Sequence, residues 1–175
     1  MKDYKNFESM TKFWLAELEK YNEEPFKKKP NDKSWSLGEL YNHLYISTLF
    51  YIKNIENCID KKEGKIGGRK NLAGTITFLQ NSFLPFKYKL SINEKHPPEI
   101  PENIMAIKDK LIKLMKLMYS AAEKIDTLSK EDLKYKTKNP GFGFLNASEW
   151  YRLAEMHFRH HIKQKDRLES FISKR

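Results

Sequence analysis

Residues 155–164 read EMHFRHHIKQ, and they indicate both the architecture and the chemistry of this chain more strongly than any other segment. Three of the five histidines of the 175-residue chain, at positions 157, 160 and 161, lie in this stretch. His157 and His161 are four residues apart, which on an α-helix places both side chains on one face, one turn above the other. Two neutral imidazoles held in this way can bind one divalent metal ion.

The helix that carries these histidines has a continuous interior stripe. It is predicted to begin near Asn146, a good N-cap residue, with Glu149 supporting its first turn. The stripe repeats at spacings of four and three and consists of Trp150, Ala154, His157, His161, Gln164, Leu168 and Phe171. His157 and His161 therefore occupy positions that normally hold Leu or Ile, whereas His160 lies on the flank. Metal ligation and core packing are both open interpretations of this pair from the spacing alone.

A second well-defined helix is predicted from Ser36 to about Asp60. Ser36 followed three residues later by Glu39 is a capping box, in which each side chain bonds to the backbone of the other residue. His43 lies at the edge of the apolar arc of this helix and so faces the interior, where an unpaired polar group is costly. Taken alone, His43 is best interpreted as a core histidine bonded to a carbonyl, with a metal ligand as the alternative.

The remaining periodic segments predict two further helices, from about Asn6 to Tyr21 and from Glu102 or Asn103 to Asp126. Residues 62–101 form a long connection in which a short helix is expected within 72–86. His96 lies in a proline-flanked part of that connection and is expected to be exposed and inert.

Residues 129–145 are rich in turn signals, and no segment has a convincing strand pattern. We therefore predict an all-α fold: a single antiparallel four-helix-bundle domain over residues 1–175, with a long connection between helices 2 and 3 that can supply a crossover.

Composition narrows the classes of protein to which the chain can belong. With 39% hydrophobic and 13% aromatic residues, the chain can form a globular core. No apolar run is long enough to cross a bilayer, and the N-terminus lacks the apolar region of a secretion signal. The single Cys58 cannot form an internal disulfide, which suits a reducing compartment. We expect a cytoplasmic protein with no membrane partner.

The net charge of +10 admits a nucleic-acid partner, because Lys and Arg outnumber Asp and Glu by 33 to 23. The basic clusters at 27–29, 61–62 and 69–70 are short, scattered and outside any recognisable nucleic-acid-binding motif. Gly67-Gly68 lacks the strand and the following glycine of a dinucleotide fingerprint. A lysine-rich solvated surface is the favoured explanation of the charge, so nucleic acid is not the expected partner.

Helix bundles build metal sites from side chains that project inward from facing helices. If His43 is level with His157 and His161, three imidazoles leave a coordination position for water or substrate, which is typical of catalytic sites. The metal charge would lower the pKa of a bound water or thiol. A fourth protein ligand, such as Asp60 or Glu155, would instead close the site, and the sequence leaves this alternative open.

Two motifs at opposite ends of the chain resemble those of the DinB-like superfamily. Residues 35–44, WSLGELYNHL, resemble its tryptophan, helix-start and first-histidine pattern. The C-terminal pattern is matched by residues 139–143, NPGFG, then 148–150, SEW, and then 157–164, HFRHHIKQ. The resemblance implies a four-helix bundle with a three-histidine metal site, in a family with many homodimers.

Carried over by position, the metal ligands are His43, His157 and His161, whereas His160 matches a family histidine that is not a ligand. Gln164, one turn after His161, either orients a ligand or the bound water, or is an ordinary buried amide.

The resemblance also implies an activity. Characterised relatives include metal-dependent enzymes that use low-molecular-weight thiols, such as bacillithiol S-transferases and mycothiol-dependent isomerases. The implied function is a metal-dependent thiol S-transferase or a hydrolase-like enzyme acting on a small molecule. Its cofactors would be a divalent Zn, Ni, Mn or Fe ion and a low-molecular-weight thiol. The alternative is a non-enzymatic, basic helical-bundle binding protein whose metal is structural or absent.

Overall fold

A computed structural model describes residues 2–83 and 98–173 of the chain. In chain order its helices are α1 (Lys2–Leu18), α2 (Glu23–Lys27), α3 (Leu37–Ile59), α4 (Leu72–Gln80), α5 (Ile104–Asp126) and α6 (Ala147–Ile172). The four long helices, α1, α3, α5 and α6, pack around one hydrophobic core. The chain is therefore mostly helical, as predicted. His96 lies outside the described residues, so its expected exposure stays a prediction.

Both histidine-bearing helices begin at the caps that the sequence indicates. Ser36 Oγ accepts from the Glu39 amide at 3.1 Å, and the Ser36 amide donates to the Glu39 carboxylate at 2.7 Å. Asn146 and Glu149 form the same reciprocal pair at the start of α6, with both distances 2.9 Å. Capping boxes satisfy amides that have no partner inside the helix. They also set where each helix starts, and thus which side chains face the core.

The ends of the first helix differ from the prediction. It covers Lys2–Leu18 rather than residues 6–21, and a separate short helix follows at Glu23–Lys27. Pro25 lies in the first turn of that short helix, where the missing N–H of proline costs no hydrogen bond.

The directions of the long helices follow from pairs of contacts along each interface. Between α3 and α6, the His43 ring lies 5.0 Å from the His161 ring, and Tyr51 lies 5.8 Å from Trp150, so these two helices are antiparallel. Between α3 and α5, Lys110 Nζ donates to Asn42 at 3.0 Å near the start of both helices.

Further along the same two helices, Ile55 and Ala121 line one groove, so α3 and α5 run parallel. The bundle is therefore antiparallel for α3 and α6 but not for α3 and α5, the two helices between which the sequence allows a crossover. The long connection between them allows the chain to return to the end of the bundle from which α3 started.

The all-α prediction is also wrong in one respect, because a small sheet joins two connections of the bundle. Its strands are β1 (Gly64–Ile66), β2 (Tyr135–Asn139) and β3 (Gly143–Leu145), antiparallel and in that order. These strands are too short for a period-two pattern to stand out from the surrounding turn residues.

The sheet is attached to the start of α6, because the Trp150 indole donates to the Thr137 hydroxyl at 2.7 Å. Gly143, at φ +82°, follows the β2–β3 turn in a conformation that glycine adopts without strain. Among the described residues, no helix is long and apolar enough to cross a membrane.

Candidate metal centre

Three histidine side chains from two antiparallel helices converge on one point inside the bundle. His43 comes from the N-terminal part of α3, and His157 and His161 come from successive turns of α6. His157 Nε2 lies 3.2 Å from His43 Nε2 and 3.0 Å from His161 Nε2. The exposed fractions of His43, His157 and His161 are 9%, 7% and 8%, so all three lie almost entirely within the protein. The sequence did not determine whether His43 lies at the same height in the bundle as His157, and the structure shows that it does.

The separations between these nitrogens fit a shared metal ion. Metal–nitrogen bonds of about 2.0–2.1 Å place two ligand nitrogens about 2.9 Å apart at a right angle and about 3.4 Å apart at a tetrahedral angle. The two Nε2–Nε2 distances of 3.0 and 3.2 Å fall within that range. Within the described ranges, the histidine, cysteine and acidic groups that could hold a metal ion together are these three histidines.

The hydrogen bonds of the cluster support the same interpretation. Gln164 Oε1 lies 2.9 Å from His161 Nδ1 and can only accept, so the proton of His161 is on Nδ1 and its Nε2 carries a lone pair. One ring nitrogen can form only one in-plane hydrogen bond, yet His157 Nε2 faces two other Nε2 atoms. In addition, His157 Nδ1 is buried without a partner in the described part of the chain. Hydrogen bonds among the described residues therefore cannot satisfy all the ring nitrogens of the three histidines.

The protein environment keeps the three imidazoles neutral. Burial, with a further contribution from His160, lowers the pKa of His43 to about 4. Burial and the neighbouring His43 and His160 lower the pKa of His161 to about 3. Burial, reinforced by the other histidines, holds the pKa of His157 well below its ordinary value. A metal ion entering near neutral pH would therefore not have to displace protons from these ligands.

Aromatic rings surround the histidines. The Trp35 ring centre lies 4.8 Å from that of His43, and Tyr51 lies 5.7 Å from His157. Phe83 contacts two histidines, at 5.7 Å from His157 and 5.0 Å from His160. Such rings exclude water and lower the local dielectric, which strengthens electrostatic interactions inside the site. Phe83 was not identified from the sequence, because it follows α4 in the connection whose pattern gives no register.

The other candidates for the site lie apart from the three Nε2 atoms. His160 is exposed and packs beside Phe83. Asp60 caps the far end of α3, about 25 Å along the helix from His43. Glu155 forms two hydrogen bonds with Arg159, both of 2.9 Å. Neither acid is therefore placed to act as the fourth ligand that the sequence left open.

Comparison with known proteins agrees with this architecture. The chain matches a crystal structure described as TT2238, a four-helix bundle protein, with a TM-score of 0.54, 14% identity and coverage of 94% of this chain and 96% of the other. At that identity the likeness concerns the fold alone. The search of curated proteins gives no significant match. The family model of the DinB superfamily matches residues 6–164, which is nearly the whole chain. The chain therefore belongs to the DinB superfamily.

Proposed function

We propose that this protein is a metal-dependent enzyme in which His43, His157 and His161 bind one divalent ion. The observation that carries the proposal is the convergence of three buried Nε2 atoms at 3.0 and 3.2 Å. Three protein ligands, rather than four, are the arrangement of catalytic rather than structural zinc sites. Zn, Ni, Mn and Fe are the candidate ions, because imidazole binds each of them.

The side chains around the cluster have separate roles in this proposal. Gln164 accepts from His161 Nδ1, which fixes the tautomer and the ring orientation that direct Nε2 inward. Trp35 and Tyr51 pack against the ligand rings and keep bulk water from their faces. A divalent ion held there supplies Lewis acidity, which lowers the pKa of a bound water or thiol and so provides a nucleophile near neutral pH.

The reaction class that we propose is transfer of a low-molecular-weight thiol to an electrophilic small molecule, or a hydrolase-like reaction at the same site. Its support is membership of the DinB superfamily together with a ligand set of three histidines. The buried, aromatic surroundings of the histidines suit a thiolate, whose attack on carbon is faster when it is weakly solvated. A homodimer and a cytoplasmic location belong to the same proposal and rest on the family resemblance and composition.

The first test is metal content. The untagged protein is expected to retain about one equivalent of Zn, Ni, Mn or Fe, measured by mass spectrometry of the metals, and a His157→Ala/His161→Ala variant is expected to lose it. The second test is thiol consumption in the presence of an alkylating electrophile, with the same variant as control. A well-folded wild-type protein with no affinity for any of the four ions would refute the proposal.

The alternative function is that of a non-enzymatic, basic binding protein with a structural or absent metal, and the net charge of +10 favours it. Binding of DNA or RNA that weakens steeply with salt, and that is unchanged in the histidine double variant, would support this alternative.

A further inference from the structure

A cleft of about 530 Å³ lies between α4, the small sheet and the first turns of α6. It is an open groove rather than an enclosed cavity, and its volume is within the range of small-molecule sites, about 300–1,000 Å³. None of the three clustered histidines lines it. The charged residues on its walls are Arg69, Lys70, Lys136, Glu149 and Arg152.

The single acid of the cleft is already engaged by the protein. One oxygen of the Glu149 carboxylate accepts from the Asn146 amide in the cap of α6, and the other forms an ion pair with Lys70. The charges of Lys70 and Glu149 therefore offset each other. Arg69, Lys136 and Arg152 remain, which gives the cleft three positive charges without an opposing acid on its walls.

The contacts of these three cations are to neutral groups. Lys136 Nζ donates to the Gly68 carbonyl at 3.3 Å, and Arg152 donates to the Asn81 side chain at 3.1 Å. Across the part of the chain that the structure describes, the Arg69 guanidinium takes part in no ion pair. Like charges that face one concave surface raise its positive potential, and the positive end of the α6 dipole adds to it. Such a potential attracts an anion.

The chemistry of the walls narrows the class of anion. A guanidinium presents a planar set of donors that matches the oxygens of a phosphate group, and two of the three cations are arginines. The Phe78 ring lies beneath Lys70 at 5.1 Å and beneath Arg152 at 5.7 Å, which adds an aromatic surface between the charges. Leu79 beside it is 80% exposed, so the apolar part of the cleft is open to a ligand.

We propose that this cleft binds a small molecule that carries a phosphate group and a flat aromatic body. The phosphate would bind between Arg69, Lys136 and Arg152, and the flat part would pack against Leu79 and the edge of the Phe78 ring, whose face is covered by Lys70 and Arg152. This site is independent of the metal centre, so it stands or falls separately from the proposed enzymatic function.

The test is calorimetric titration of the whole chain with inorganic phosphate and with adenosine 5′-monophosphate at about 150 mM salt, where exposed charges are largely screened. We expect the monophosphate to bind with a Kd below about 1 mM and more tightly than inorganic phosphate. Loss of one charge-assisted hydrogen bond should weaken binding about tenfold to hundredfold in Arg69→Gln and in Lys136→Gln. Arg167→Gln, an exposed arginine on the same α6, is the matched control and should bind as the wild type does.

Arg69 is exposed, so Arg69→Gln is expected to fold normally, which circular dichroism can verify. The proposal is overturned if neither probe binds, or if Arg69→Gln and Lys136→Gln bind the monophosphate as tightly as Arg167→Gln does. A single-stranded oligonucleotide that binds far more tightly than the monophosphate, with loss in the same variants, would overturn the small-molecule assignment and identify a nucleic-acid surface.

Discussion

Helix α6 contributes to two buried polar clusters, and His161 of one cluster is four residues from Lys165 of the other. The two clusters differ in how their polar groups are paired. One contains His43, His157 and His161. The other is centred on Lys165, which is only 2% exposed and donates to Glu17 at 2.8 Å and to Glu169 at 2.7 Å. In each cluster, side chains of α6 contact a polar side chain of one other long helix, α3 for the histidines and α1 for Lys165.

The difference lies in the balance of charge. Burial alone would lower the pKa of Lys165, but its hydrogen bonds to Glu169 and Glu17 outweigh burial and raise it, so the lysine is charged and paired. The histidine cluster instead brings the ring nitrogens of neutral imidazoles together. A buried charge that is paired within the protein supports the fold, whereas converging imidazole nitrogens could bind a metal ion. The two clusters should therefore respond differently to the same kinds of change.

The largest effect is expected when a ligand is removed. The binding free energy of structural zinc sites is about 10–16 kcal/mol, of which one of three ligands would supply roughly a third. Losing that ligand in His157→Ala should therefore weaken metal binding by about a thousandfold. Competition against a chelator of known affinity measures this. His160→Ala is the matched control and should bind metal as the wild type does. An equal loss of metal affinity in both variants would contradict the interpretation that His160 is not a ligand.

Removing the cation from the other cluster should affect stability rather than metal binding. Lys165→Met leaves Glu17 and Glu169 without their shared partner, and breaking a buried ion pair in this way is expected to cost about 3 kcal/mol of the free energy of unfolding. Urea denaturation measures the change. Lys163→Met, at an exposed position on the same helix, should alter it by less than about 0.5 kcal/mol. A Lys165→Met protein as stable as the wild type would show that the cluster is not needed for the fold.

Acid should distinguish the clusters in the metal-free protein. The folded-state pKa values of His43 and His161, about 4 and about 3, lie below the unfolded value of 6.5, so the unfolded state binds protons first as pH falls. Their contribution to stability is present above pH 6.5 and is lost as pH falls towards 4, by about 2 kcal/mol per histidine at pH 5. The pKa of Glu17 is lowered, although burial opposes the effect of Lys165 and Lys20, so this carboxylate loses its contribution only in more acidic solution.

Urea denaturation at pH 7, 6 and 5 in the presence of a chelator measures this loss. His161→Phe should reduce the slope of stability against pH. A wild-type protein whose stability does not change between pH 7 and 5 would contradict the buried, neutral state of the histidines.

The smallest effect is expected for Gln164, the residue proposed to orient His161. Gln164→Ala removes the acceptor for His161 Nδ1, and loss of such a partner typically weakens metal binding about tenfold to hundredfold. Gln164→Glu keeps an acceptor at the same position and should retain or increase the affinity. If both variants bind metal as the wild type does, Gln164, which the structure shows to be half-buried, is an ordinary structural amide without a role at the site.

Several features follow from interactions between residues close in the chain, and the sequence predicted these. The caps at Ser36 and Asn146 depend on partners three residues away, and both are present. The spacing of His157 and His161 determines which face of α6 they share, whatever the rest of the bundle does. The same helical spacing places His160 on a different face from His157 and His161.

Other features depend on residues far apart in the chain, and only the tertiary structure decided them. Lys165 meets Glu17 across 148 positions, so nothing near Lys165 in the sequence indicated that it is buried. The sheet joins β1 to β2 across the whole of α5, and its strands are too short to have a pattern of their own.

The candidate metal centre combines both kinds of information. Helical phase determined that His43, His157 and His161 each face the interior. Their meeting at 3.2 Å and 3.0 Å required α3 and α6 to pack with His43 level with His157, 114 residues later in the chain. Helical periodicity predicts in which direction around the helix axis a side chain points, but not how far one helix is shifted along its neighbour. That shift is set by the packing of the complete core.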